Sequence, residues 1–147
     1  MKGFSLAIWP AAAWLVLVVI AHSAAGADKE DLQGVWVATS GEINGQPASA
    51  EDLKRTRFTF KGDKLLVRLH KEDKQDSECS YKLGVDKVPK QIDIVAGKKT
   101  LAGIYQVKGD ELKLCFENGG NAENRPKKFA TNREEEAVLI VFKRQKP

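Results

Sequence analysis

Arg57-Phe58-Thr59-Phe60-Lys61-Gly62-Asp63-Lys64-Leu65-Leu66-Val67-Arg68-Leu69-His70 reads as a β-hairpin written in one line. Phe58 and Phe60 share one face of the first arm, and Leu65, Val67 and Leu69 share one face of the second. Charged residues hold many of the positions between, so each arm has a dry side and a wet side. Gly62-Asp63 supplies the two-residue turn, glycine taking the positive φ it demands. Tyr105-Gln106-Val107-Lys108-Gly109-Asp110-Glu111-Leu112-Lys113 follows the same plan. Too little else repeats to argue duplication, and shared turn physics accounts for the likeness.

Working outward from these hairpins, strand patterns fill the chain from Leu32 on. Leu32 to Ser40 carries Trp36 and a Val-rich run that ends in the turn chemistry of Gly41 to Gly45. Ser49-Ala50-Glu51-Asp52 resembles a capping box and predicts one short helix from Ala50 to about Arg55. Cys79 to Val85, Gln91 to Ala96, Thr100 to Val107, Glu111 to Phe116 and Ala137 to Arg144 complete eight strands, with Pro89 marking a boundary. Connections of mostly hairpin length favour an all-β, eight-stranded antiparallel up-and-down barrel over a parallel sheet.

Ahead of the strands, residues 1–27 read as a secretory signal. Lys2 gives the charged start, Phe4 to Ala21 the apolar stretch, and Ala25-Gly26-Ala27 an A-x-A site before Asp28. An uncleaved anchor is the alternative, because that apolar stretch is near the minimum for crossing a bilayer. No cysteine follows it to take a lipid, and no later stretch is long enough to span. The expected location is the periplasm, the cell envelope or the medium. Removing residues 1–27 from 147 leaves 120, enough for one barrel domain over 28–147 and too few for a second.

The formal charge of +4 falls to +3 without Lys2, and acids and bases interleave, as in Lys71-Glu72-Asp73-Lys74. That mixing describes a solvated surface and argues against a nucleic-acid partner. Cys79 and Cys115 are the only cysteines, 36 positions apart. In an oxidising compartment one bridge is possible, worth roughly 3 to 4 kcal/mol on the chain-entropy account. Strand phase argues the other way: Cys79 falls on an inward phase with Tyr81 and Leu83, and Cys115 lies out of phase with Leu112, Leu114 and Phe116.

Leu32-Gln33-Gly34-Val35-Trp36 and the late Arg144 resemble the lipocalin frame, in which a G-x-W tryptophan crosses the closed end of the barrel under a basic residue. The resemblance is closer to an uncharacterised lipocalin-like domain family abundant in exported planctomycete proteins. It is carried by Glu42-x-Asn44-Gly45, Phe60-x-Gly62-Asp63, Pro89-x-x-Ile92-Asp93, Gly103-Ile104-Tyr105, Gly109-Asp110-x-Leu112-x-x-Cys115 and Arg125-Pro126. It implies a lipocalin-like barrel plugged by Trp36 and Arg144, and brings no activity with it.

Chemical vocabulary is sparse. With His22 in the leader, His70 is the only histidine of the mature chain, at a strand end beside Lys71. No cluster has metal-ligand spacing, no nucleophile elbow occurs, and no cofactor or enzymatic activity is expected. Asp93 falls on the wet phase of its strand. In the irregular stretch from Glu117 to Asn132, Arg125 with Lys127 and Lys128 suits an anion. A structural bond from Arg125 to loop carbonyls or an acid, with Phe129 pinning the loop, is favoured over that. Phe58, Phe60, Tyr81, Tyr105 and Phe116 fall on inward phases, either lining a ligand cavity or filling it, and their bulk favours a mostly filled interior. Two functions stay open: a binding module for a small apolar or amphipathic molecule, or a packed structural or protein-interaction barrel that works through its loops.

Overall fold

In the computed structural model, residues 24–69 and 74–147 are described. Most of the expected leader, and His70, lie outside them. The elements run α1 (Ala24–Leu32), β1 (Gly34–Ile43), β2 (Gln46–Pro47), α2 (Ala50–Arg55), β3 (Arg57–Lys61), β4 (Lys64–Arg68), β5 (Ser77–Gly84), β6 (Gln91–Ala96), β7 (Lys99–Lys108), β8 (Glu111–Glu117) and β9 (Ala137–Arg144). A 3-10 turn at Ala122–Asn124 interrupts the long β8–β9 connection. Every ladder is antiparallel, and β9 pairs back onto β1, so β1 and β3 to β9 close an eight-stranded barrel in chain order. β2 is a two-residue return on the end of β1.

Three hairpins of the barrel wall turn on glycines of positive φ, Gly62 at +61°, Gly109 at +56° and Gly97 at +60°, as does the short β1–β2 return at Gly45. The first two follow from their Gly-Asp pairs. Gly97-Lys98 is the same device without the aspartate, and it joins β6 to β7 where the sequence offered only a gap between strands. The capping box forms as read: the Asp52 amide donates to Ser49 Oγ at 3.1 Å and opens α2.

The start of the barrel differs from expectation. Leu32 ends a second helix rather than beginning a strand, and β1 starts at Gly34. Gly34 has φ +118°, which breaks the chain out of α1 and turns it along the barrel wall. A Cβ added there would sit 3.2 Å from an Arg144 guanidinium nitrogen. In β1 the register slips between Ala38 and Ser40, so Trp36 and Ala38 face inward in one half. Past the slip it is Gly41 that lies opposite the inward-facing Ile140.

The two ends of the barrel are built differently. At one end α1, the Gly62-Asp63 and Gly109-Asp110 turns and the chain after β9 gather over Trp36, which is 0% exposed and donates its indole N–H to Leu32 O at 2.8 Å. Phe60, Leu65, Tyr105, Leu112, Leu114 and Phe142 fill the bore beneath it. Phe60 meets Tyr81 edge to face at 5.0 Å between ring centroids, a favourable ring geometry. The other end carries α2, the end of β4 and the start of β5, the Gly97-Lys98 turn and the start of the β8–β9 connection.

Candidate functional site

At that other end the bore opens into a cavity of about 600 Å³, within the range that small-molecule sites occupy. Its walls come from one inward phase of each strand: Phe58, Val67, Cys79, Ile94, Phe116 and Ile140 among them. α2 leans over one side. Gly41 makes room for it, since a Cβ there would meet Leu53 Cδ2 at 3.3 Å and Ala48 Cβ at 3.5 Å. Both Leu53 and Ala48 therefore reach the cavity from outside the sheet.

Of the five aromatic rings expected to line a cavity or fill the bore, two line it and three fill. Phe58 and Phe116 reach the cavity. Phe58 is backed by Phe142 at 4.8 Å between centroids. Phe60 and Tyr81 are packed against each other in the closed half. The Tyr81 hydroxyl donates to Gly62 O at 2.6 Å and receives the Gln33 amide at 3.1 Å. The Tyr105 hydroxyl donates to Asp28 Oδ2 at 2.5 Å, a carboxylate 8% exposed that also takes Lys90 Nζ at 2.8 Å. Burial, then this bond, pushes the Tyr105 phenol well above the ordinary tyrosine range. The filled interior expected from these rings thus holds for the closed half only. Ile94 on β6 and Leu101 on β7 share the inward phase of the lining rings, whereas Leu53 reaches the cavity from α2 and carries no strand-phase signal.

The cysteines are free, which removes the possible disulfide. Cys79 faces the bore on β5 and Cys115 faces outward on β8, with β6 and β7 between them. No bridge can form through the wall without dismantling it. Burial raises the Cys79 thiol above its usual pKa, with a smaller push from Glu78. Cys115 is 0% exposed, and burial drives it up to about 11 although its thiol approaches Ala130 O at 3.8 Å.

What buries Cys115 is the β8–β9 connection, which straps the outer face of the sheet. Arg125 fastens it: one guanidinium nitrogen donates to Gly103 O at 2.8 Å and Ile92 O at 3.3 Å, the other to Asp93 Oδ1 at 2.6 Å. Arg125 therefore sits on the barrel's flank, away from the mouth, in the structural bond to carbonyls and an acid that its sequence setting favoured. Asp93 is on the outer phase, half-buried, as its partner. Outward-facing Ala102, Ile104 and Ala137 are buried with Cys115. The strap leaves a second, polar recess of about 640 Å³, lined by Glu117, Glu123, Lys127, Lys128 and the run from Glu134 to Glu136. The Glu117 carboxylate is spent on the strap itself, accepting from the amides of Gly119 at 2.5 Å and Asn121 at 2.8 Å. Among the described residues no three His, Cys, Asp or Glu side chains gather as a metal site.

No family model, no curated protein and no solved structure matches the chain.

Proposed function

We propose that this chain is a lipocalin-like binding barrel that works outside the cytoplasm and carries a small apolar molecule in its open half. One observation carries the reading: the bore is filled under Trp36 and empty for about 600 Å³ at the other end. Close packing is the default of protein interiors, and an apolar void of that size forgoes much dispersion energy unless something fills it. The leader pattern of residues 1–27 supports export. The strap recess favours a second reading, in which the barrel is a scaffold and a protein partner reads the charged loop between Glu117 and Glu136.

Native mass spectrometry of the protein taken from its own host separates the two. A retained small molecule, with thermal stabilisation by apolar members of a metabolite panel, supports the carrier. A bare mass, no stabilisation by any member and a co-purifying protein lost on charge reversal at Glu134 to Glu136 would favour the scaffold.

A further inference from the structure

Resting on the export half of that reading, we infer that the Ala27–Asp28 bond is a processing site presented only by the unfolded chain, so that cutting the leader and closing the barrel compete. The Ala25-Gly26-Ala27 pattern marks this bond in the sequence. The packing of the closed end marks the same bond independently. From Asp28 on, α1 is fastened residue by residue. Asp28 takes the Tyr105 hydroxyl at 2.5 Å and Lys90 Nζ at 2.8 Å, and Lys29 pairs with Asp63. The carbonyls of Asp31 and Gln33 each take an Arg144 nitrogen at 2.6 Å, and Leu32 O takes the Trp36 indole at 2.8 Å. Gly26 is exposed and Ala27 half-buried, whereas Asp28, the next residue, is 8% exposed. Removing residues 1–27 therefore keeps all of these contacts.

A peptidase draws its substrate through the cleft as an extended strand that runs across the bond. In the folded chain that bond lies inside α1, Ala24–Leu32, and its far side is the buried Asp28. Fraying the helix as far as Ala27 does not suffice, because Asp28 must also leave the barrel. Its departure would leave the Tyr105 hydroxyl, on a residue 1% exposed, buried without its acceptor. The open form is thus rare in the folded protein, and cutting there is slow. The unfolded chain has no such hold. A chain cut first becomes a barrel that begins at Asp28. One that folds first keeps the apolar stretch Phe4 to Ala21, which is near the length needed to cross a bilayer, and stays at the membrane.

The test dilutes the full precursor, residues 1–147, out of urea into detergent micelles that hold a leader peptidase of A-x-A specificity. With peptidase present from the start, intact mass should show a product that begins at Asp28. With peptidase added once folding is complete, cutting should be at least about tenfold slower. Tyr105→Phe and, as the milder variant, Lys90→Ala should speed the late cut about threefold or more. Arg125→Ala, which loosens the strap on the barrel's flank, should leave it unchanged. Equal rates in the two orders overturn the inference while the leader reading stands, and so does a product beginning at any other residue. Equal acceleration by Tyr105→Phe, Lys90→Ala and Arg125→Ala also overturns it, since overall stability rather than the hold on Asp28 would then protect the bond. No cut in either order takes the leader reading of residues 1–27 down with it and leaves the cavity reading untouched.

Discussion

Arg144 lays its guanidinium 4.3 Å from the centroid of the Trp36 ring while its terminal nitrogens close the carbonyls of Gln33 and Asp31, each at 2.6 Å. Those carbonyls belong to the end of α1 and the step that follows it, where a helix leaves acceptors unmet and favours a cation. One side chain thus ends the helix, seals the ring that plugs the barrel and, through Nε, reaches Asp110 at 3.2 Å. Trp36→Ala should cost about 3 to 5 kcal/mol in urea unfolding, because the ring is fully buried and its neighbours are held by the sheet. Arg144→Lys keeps the charge and loses the planar fork, and should cost about 1 to 2 kcal/mol. A loss under 0.5 kcal/mol for the lysine variant would mean that charge alone does the work.

Gly34 should be the least replaceable position of the G-x-W motif after the tryptophan. Its φ of +118° is one that side-chain-bearing residues rarely adopt, and a Cβ there would press on the Arg144 guanidinium at 3.2 Å. Gly34→Ala should therefore cost at least about 2 kcal/mol, combining backbone strain with a displaced cation. Repeating the substitution in an Arg144→Ala background separates the two. If the double variant loses the full sum of the singles, the glycine and the arginine act independently and the close approach carries no energy.

The fold was legible because its signals are local. Alternating Phe58, Phe60, Leu65 and Val67 around Gly62-Asp63 specify a hairpin whatever surrounds it, and two such hairpins among eight closely spaced strand patterns leave little but a meander. The closed end was half legible. Trp36 and Arg144 stand out by type, but Asp28 gives no sign that Tyr105 and Lys90 await it 77 and 62 positions away. Helix α1 was hidden by the leader pattern that overlaps it. The cavity was open in the sequence but its place was not legible, because inward phase does not distinguish a ring that meets another ring, as Phe60 does, from one that meets space, as Phe116 does. That distinction depends on the β1 register slip and on where α2 lands.

The two thiols should react at different rates. Cys79 lines the cavity and is reachable from the mouth, whereas Cys115 lies under the strap at 0% exposure. Small neutral N-ethylmaleimide should modify Cys79 first, slowly, since burial keeps the thiol protonated. Anionic reagents should be slower still, and denaturant should release both sulfhydryls without reductant. Peptide mapping of the singly modified protein decides the order; label on Cys115 first would place the accessible face of the barrel on the wrong side of the wall.

The Arg125 clamp should set the opening rate of the strap. Arg125→Ala removes two backbone contacts and the Asp93 pair together, leaving Asp93 half-buried without its cation. The expected result is faster hydrogen exchange in residues 118–136 and faster alkylation of Cys115, with Cys79 reactivity and the barrel's own amides little changed. Global stability should fall by about 1 to 3 kcal/mol. Equal acceleration at both thiols would instead mean that the strap and the barrel unfold as one unit.

Alkaline pH should weaken the fold through the same buried groups. The Cys115 thiol ionises at 9.0 when free and at about 11 when folded, and the Tyr105 phenol is raised from 10.0. A raised folded value means that the folded chain holds its proton while the unfolded chain has released it. The stabilisation is thus complete below the unfolded value and is lost as pH rises toward the folded one. Urea midpoints should be level between about pH 6 and pH 8 and fall progressively from about pH 9 upward. Cys115→Ala should flatten the segment between about pH 9 and pH 11, where only the thiols titrate in the unfolded chain at first, and leave the steeper loss above it, which belongs to Tyr105. Tyr105→Phe should do the reverse, at the added expense of leaving Asp28 with Lys90 as its one remaining partner among the contacts described. An unchanged slope in both variants would move the alkaline loss to the other groups that burial raises, Cys79 and Tyr81, or to the charge balance of the surface lysines.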